Sequence, residues 1–450
     1  MKKLISTVLL LTLLSTLALA PAISLATPTE ENETEVAQIT ETPAVPPEAE
    51  TPTPPTETET PTPPTETEMP EEIDYEPAIA EYEKWSRAAE RAFIDLVPDI
   101  ASPAVILIEK ETGTVIFEKN ADEIREPASV TKIMTTLLVI EALEAETISL
   151  RDVVTTSEYA ASMGGSQIYL RENEQMTVHE LLKASVVSSA NDAAVALAEH
   201  IAGSEEAFAE LMNARAAELG MKHTTFTNSS GLLESDTHRT TARDIAIMSR
   251  ELMEHDMVRK YTSIWMDSLR DGETVLVNTN RMIRFFEGAT GLKTGFTQAA
   301  GHCLAATAKR DGIEYIAVVL GASSSNDRFK DARNLLSHAF VTYTTVPAGP
   351  DEVLLPIKVD LGREQYIQPE VDGPELLLVT RKDAPQLTKT LTVAEKLLAP
   401  VSVGDEVGTL TISSGDTVLA EIKVVASQES ARLGWGEIYA KFMELLFVTN

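Results

Sequence analysis

Apolar positions recur along this chain with two different periods, and the change of period divides it into segments. The runs at 104–108 and 114–117, joined by Glu111-Thr-Gly113, read as a β-hairpin. Val130, Ile133, Met134, Leu137 and Leu138 then fall at i, i+3, i+4, i+7 and i+8 behind Pro127, which predicts a helix with Ser129 near its first turn. Helical text continues over 178–187, over 192–202 closed by Gly203, and over 205–219 closed by Gly220. A second hairpin is predicted where the apolar runs 303–308 and 315–320 flank Arg310-Asp-Gly312. Strands at both ends with helices between imply an α+β domain, an antiparallel sheet with a helical subdomain beside it.

Beyond about residue 345 the helical period is lost. Short alternating runs at 353–356, 376–379, 390–394, 407–412 and 417–425, separated by Gly, Pro and Asp, predict a small all-β sandwich over 346–427. The last segment, 428–450, differs again. Trp435, Ile438, Tyr439, Phe442 and Leu446 share one helix face, with Met443 and Phe447 at its border and Glu437, Lys441 and Glu444 opposite. A helix over 432–448 with these faces suits a membrane surface and is too short and too charged to span a bilayer.

The N-terminus changes the picture of where the chain works. Lys2 and Lys3, the apolar run 4–19 and Ser24-Leu-Ala26 form a signal peptide over 1–26, and with no cysteine near the cleavage site a lipoprotein anchor is excluded. From 27 to 72 Thr, Pro and Glu dominate, and Thr51-Pro-Thr-Pro-Pro-Thr-Glu-Thr-Glu59 repeats letter for letter at 60–68. Such text buries no core and reads as an extended acidic spacer. It supplies much of the net charge of −33, so the acidity says little about the folded part, although it argues against nucleic acid as a partner. About 375 residues remain, enough for two folded units, expected at 73–345 and 346–427. With one cysteine, Cys303, no intrachain disulfide is available, and the core must hold the fold; that cysteine, in an apolar strand, is expected to be a packed bystander.

Candidate chemistry sits in three places. In Glu126-Pro-Ala-Ser-Val-Thr-Lys132 the three-residue spacing puts the Lys132 amine within reach of the Ser129 hydroxyl, and an amine that can be neutral is one way to activate a serine. Downstream stand Ser189-Ala-Asn191, whose simpler reading is a helix cap, and Lys293-Thr-Gly295 before an apolar strand. The order S-x-x-K, S-x-N, K-T-G, with the surrounding text "EPASVTKIMT", "SSANDAAVALAE", "LGMKHTTFTNSSGL" and "GLKTGFTQAAGHCLAATAKR", resembles the D-alanyl-D-alanine carboxypeptidases, the low-molecular-mass penicillin-binding proteins.

That resemblance implies a transpeptidase/β-lactamase-like fold and a serine peptidase that removes the terminal D-alanine from peptidoglycan stem peptides through an acyl-enzyme. By it, Ser129 is the nucleophile, Lys132 its general base, Ser189 a proton relay, and Asn191 a holder of Lys132 and substrate. The backbone N–H groups of Ser129 and Phe296 form the oxyanion hole. Thr294 and Arg328 hold the terminal carboxylate, Lys293 is the second cation that lowers the Lys132 pKa, and Gly295 lets the substrate backbone approach an edge strand. β-Lactams would be inhibitors, and the enzyme would work outside the cytoplasmic membrane. No metal or cofactor is expected, since no H-x-x-x-H, Walker or G-x-G-x-x-G text occurs. A β-lactamase and a non-catalytic wall-binding protein are the competing readings.

Overall fold

The computed structural model describes residues 99–232 and 236–448; the signal-peptide and spacer readings, and the start of the segment expected at 73, lie outside the described residues. A five-stranded antiparallel sheet carries the larger domain, in the order Val115–Lys119, Ala104–Glu109, Ile313–Ala322, Gly301–Arg310, Ala289–Thr297. The two predicted hairpins thus lie side by side, because Ala104–Glu109 pairs with Ile313–Ala322 as well as with Val115–Lys119. Every residue of Ala104–Glu109 is buried, since alternate side chains serve two cores. Ile106 and Ile108 pack in the helical layer with Val130, Leu137 and Leu197. Val105 and Leu107 instead meet Leu335, Leu336 and Phe340 of the helix Ser325–Thr342. The last strand, Ala289–Thr297, pairs with Gly301–Arg310 on one side only and leaves an edge.

The expected helices form, as Val178–Val187, Asn191–Ala202 and Glu205–Glu218. Two local readings are corrected. The serine segment opens as a 3-10 turn, Ala128–Thr131, before the helix Lys132–Glu144, and Ala128 enters it in the left-handed region at φ 48. The helix-cap reading of Ser189 and Asn191 fails: Ala190 is the cap and makes no side-chain cap bond, while Ser189 is itself left-handed at φ 65.

The second domain is all-β. One sheet runs Pro369–Asp372, Thr417–Ala426, Glu406–Ser414, Leu387–Val393, a second Tyr366–Ile367, Ile357–Asp360, Lys396–Leu398, and a two-stranded ribbon pairs Tyr343–Pro347 with Leu376–Thr380. Ile357, Val359 and Ile367 from one sheet and Leu410, Ile412 and Val424 from the other share one core, which makes a small sandwich. The run at 353–356 is not a strand. Pro356 cannot donate to a ladder, so pairing starts at Ile357 and leaves Val353 and Leu355 exposed. The terminal helix is Trp435–Val448, shorter at its start than expected. Arg432 forms a bridge with Gly362 and the Leu433 N–H donates to Leu361 O at 2.8 Å, so these residues extend the sandwich instead. Trp435, Tyr439, Phe442, Leu446 and Phe447 are exposed, and among the described residues no helix is long and apolar enough to cross a membrane.

Candidate active site

The serine turn, the start of Asn191–Ala202 and the edge strand converge on one cleft of about 430 Å³. Ser129, Ser189, Asn191, Thr294, Gly295, Phe296 and Arg328 all line it, while Lys132 and Lys293, adjacent in contact or in sequence to lining residues, are buried at 0% and 4% exposure. The structure therefore gathers every residue singled out from the sequence.

The turn that presents Ser129 is held from below. Thr131 Oγ1 donates to Ala128 O at 2.7 Å and lies 2.8 Å from His238 Nε2. Because His238 Nδ1 accepts the Thr227 N–H at 3.0 Å, the proton belongs on Nε2, which donates to Thr131. Burial pushes the His238 pKa down to about 4, so this chain of donors runs through a neutral ring. Two glycines close on the same turn. A side chain at Gly231, which is left-handed at φ 70, would run into Ala128 O. A Cβ at Gly295 would lie 2.9 Å from Pro127 O and 3.1 Å from Ser129 N. The absence of a side chain at Gly295 thus permits the close approach of edge strand and serine turn.

Lys132 Nζ lies 3.1 Å from Ser129 Oγ, 2.6 Å from Asn191 Oδ1 and 2.8 Å from Ser230 O. Burial and then the nearby Lys293 hold its pKa well below the usual lysine range, against a smaller opposite pull from Asp192 and Glu205. Lys293, whose Nζ donates to Thr294 O at 3.0 Å, is itself brought down to about 7 by burial and by Arg328. Two lysines this buried and this close disfavour double protonation. Asn191 is fixed at its other end, its Nδ2 donating to Gly164 O at 2.8 Å.

Thr294 Oγ1 donates to Thr279 Oγ1 at 2.7 Å. Arg328 donates through Nη1 to Gly295 O at 2.9 Å and to Cys303 O at 3.2 Å, which ties the guanidinium to the edge of the sheet beside the cleft. Cys303 is fully buried one strand away, and burial pushes its thiol up to about 11.

Sequence reasoning missed Ser230, Thr279 and His238. Ser230 contributes a backbone carbonyl, which no side-chain type reveals. Thr279 had a faint signal: it stands between Asn278 and Asn280, and Asn278 Oδ1 accepts the Asn280 N–H at 2.8 Å in a local turn. Outside the cleft, Glu141, Glu251 and His255 lie close enough to suggest a cation site, but Arg215 already pairs with Glu141 at 2.8 Å and Glu251 at 2.6 Å.

A family model described as D-alanyl-D-alanine carboxypeptidase matches residues 91–324, and one for the C-terminal domain of penicillin-binding protein 5 matches 343–432. The D-alanyl-D-alanine carboxypeptidase DacF of Bacillus subtilis is 42% identical over 337 residues, 74% of this chain and 86% of the relative. DacC of Escherichia coli is 34% identical over 322 residues, 70% of this chain and 80% of the relative. Among solved structures, penicillin-binding protein 5 from Haemophilus influenzae aligns with a TM-score of 0.69 at 26% identity, covering 75% of this chain and 99% of that one. Penicillin-binding protein D2 from Listeria monocytogenes, in an ampicillin-bound form, aligns at 0.50 and 32% identity, covering 54% of this chain and 98% of its own. With the first family model spanning 91–324 and DacF matched over most of its length, the chain belongs to the D-alanyl-D-alanine carboxypeptidase family of penicillin-binding serine peptidases.

Proposed function

We propose that this protein is an exported D,D-carboxypeptidase that removes the terminal D-alanine from peptidoglycan stem peptides, with Ser129 as nucleophile and Lys132 as base. The observation that carries the reading is the set of contacts around Lys132. A neutral amine has two N–H groups and one lone pair. Asn191 Oδ1 at 2.6 Å and Ser230 O at 2.8 Å take the N–H groups, which leaves the lone pair for the Ser129 hydroxyl at 3.1 Å.

Ser129 Oγ attacks the carbonyl of the penultimate D-alanine as its proton passes to Lys132 Nζ. The oxyanion is received by the backbone N–H groups of Ser129 and Phe296. As the C–N bond breaks, Ser189, which lines the same cleft, relays the proton to the leaving amine. Water activated by Lys132 then releases the shortened peptide and restores Ser129. Thr294 and Arg328 bind the terminal carboxylate, and Lys293, when protonated, disfavours the Lys132 ammonium. A β-lactam acylates the same serine.

Export rests on the 1–26 signal reading. Attachment to the outer face of the membrane is assigned to the helix Trp435–Val448, whose exposed Trp435, Tyr439, Phe442 and Leu446 supply apolar surface with little help from cations.

The decisive assay is D-alanine release from a pentapeptide-bearing muropeptide. Wild type is expected to release D-alanine and to be acylated stably by penicillin, and Ser129→Ala to do neither. Release that persists in Ser129→Ala removes the nucleophile, and rapid turnover of penicillin by the wild type favours a β-lactamase.

A further inference from the structure

The proposed base is aimed partly by a backbone carbonyl, and a buried carboxylate stands behind that carbonyl. Ser230 O accepts from Lys132 Nζ at 2.8 Å, and the preceding Ser229 O accepts from Thr135 Oγ1 at 2.6 Å, so this segment is tied twice to the helix Lys132–Glu144. On its other side Glu205 accepts the Ser229 N–H at 2.8 Å and the Ser229 hydroxyl at 3.0 and 2.9 Å through its two oxygens. Glu205 is 5% exposed and is not among the residues that line the cleft. It opens the helix Glu205–Glu218 directly after the cap residue Ser204, where unpaired N–H groups favour a negative charge. A carboxylate at that depth is costly to keep, and among the described residues its hydrogen bonds go to Ser229 alone.

We propose that Glu205 is a positioning residue for acylation: by clamping Ser229 it fixes the Ser230 carbonyl that directs the Lys132 lone pair at Ser129. The idea rests on Lys132 being the base. Its electrostatic consequence is separate from its geometric one. The charged groups that act on Lys132 are Lys293 on the edge strand, Asp192 on the helix Asn191–Ala202, and Glu205. Asp192 is already engaged by the N–H groups of Ile168, Leu170 and Ala193 at 3.1, 3.0 and 2.9 Å. Burial raises the Glu205 carboxyl, and the Ser229 bonds oppose that rise. While ionised, Glu205 favours the Lys132 ammonium, so removing its charge lowers the pH at which the base becomes available.

The test is the pH dependence of penicillin acylation and of peptide turnover in full-length variants. In Glu205→Gln the acylation rate should fall on the order of 10- to 100-fold, as for a misplaced reacting group, with KM nearly unchanged and the acid limb moved to lower pH. Ser229→Ala keeps the charge and the N–H contact, so it should lose rate without lowering the limb. If Glu205→Gln does not fold, Glu205→Asp serves: the charge stays and the clamp is shortened, so the rate falls while the limb holds. A folded Glu205→Gln with wild-type rate and limb, or a Glu205→Asp with wild-type rate, overturns the inference. These failures differ from failure of the base assignment, which would show as a wild-type profile without an acid limb.

Discussion

Asn191→Asp replaces an amide by a carboxylate and so puts a negative charge where a neutral acceptor now lies 2.6 Å from Lys132 Nζ. Both side chains are buried, at 2% and 0% exposure, so solvent screens the pair weakly. Two unit charges at that separation attract by about 6 kcal/mol at an effective dielectric of about 20. At 1.36 kcal/mol per unit this corresponds to roughly 4 pKa units. Desolvation of the new carboxylate takes back part of the gain, but about half of it would still raise Lys132 by ~2 units. An adjacent anion favours the ammonium form, so the base stays protonated to higher pH and the acid limb of acylation moves up. Loss of the Nδ2 donor to Gly164 O lowers the plateau as well, without moving the limb. The assay is the rate of acylation by a fluorescent penicillin, followed from acid to alkaline pH. At pH values below both limbs the rate should fall about 100-fold, and it should recover to the plateau at alkaline pH, as expected for a ~2-unit shift. Asn191→Ala should lower the rate without the upward shift. An Asn191→Asp limb that coincides with wild type would mean that Lys132 is not the group that titrates.

Other consequences follow from the same contacts. Lys293→Ala removes the cation that, after burial, most disfavours the Lys132 ammonium, so its acid limb should also move up; an unmoved limb would show the two lysines uncoupled. His238 is held neutral, with its pKa lowered from 6.5 to about 4, so the unfolded chain binds a proton first as pH falls and the fold loses stability between those values. From neutrality to about pH 5 that loss is about 2 kcal/mol, read as a larger drop in the urea midpoint for wild type than for His238→Gln, and equal drops would refute it. Cys303→Ala should keep wild-type turnover, because the thiol is buried and raised to about 11; loss of most activity in a folded variant would place the sulfur in the site. Deleting residues 435–450, which leaves the sandwich contacts of Ser430, Arg432 and Leu433 in place, should release the processed protein from membranes, and a truncated protein that still sediments with them would rule out the helix Trp435–Val448 as the anchor.

What could be read from the sequence was spacing, and what could not was anything carried by backbone. Ser129 and Lys132 meet although their segment starts as a 3-10 turn and not as the α-helix expected, because residues three apart are neighbours in either geometry. The apolar run of Ala104–Glu109 told of a strand but not that it is covered on both faces, which depends on the distant helix Ser325–Thr342. Ser189 carries the letters of a helix cap, yet it is left-handed and lines the cleft. Ser230 enters through its carbonyl and Gly231 through the side chain it lacks, so neither residue type declares its part. The alternation around 353–356 misled for a local reason, since the proline at its end forbids the ladder that the pattern suggested.

The central claim is that Ser129, activated by Lys132, takes up the acyl group. It is tested most directly by incubating the full chain with benzylpenicillin and mapping the adduct by mass spectrometry. Trypsin should cut after Arg125 and after Lys132 and so isolate residues 126–132, whose hydroxyl groups are those of Ser129 and Thr131. The account predicts one penicilloyl group per chain, carried on that peptide at Ser129 and absent from Ser129→Ala. An adduct on any other peptide, or one that survives in Ser129→Ala, would contradict it.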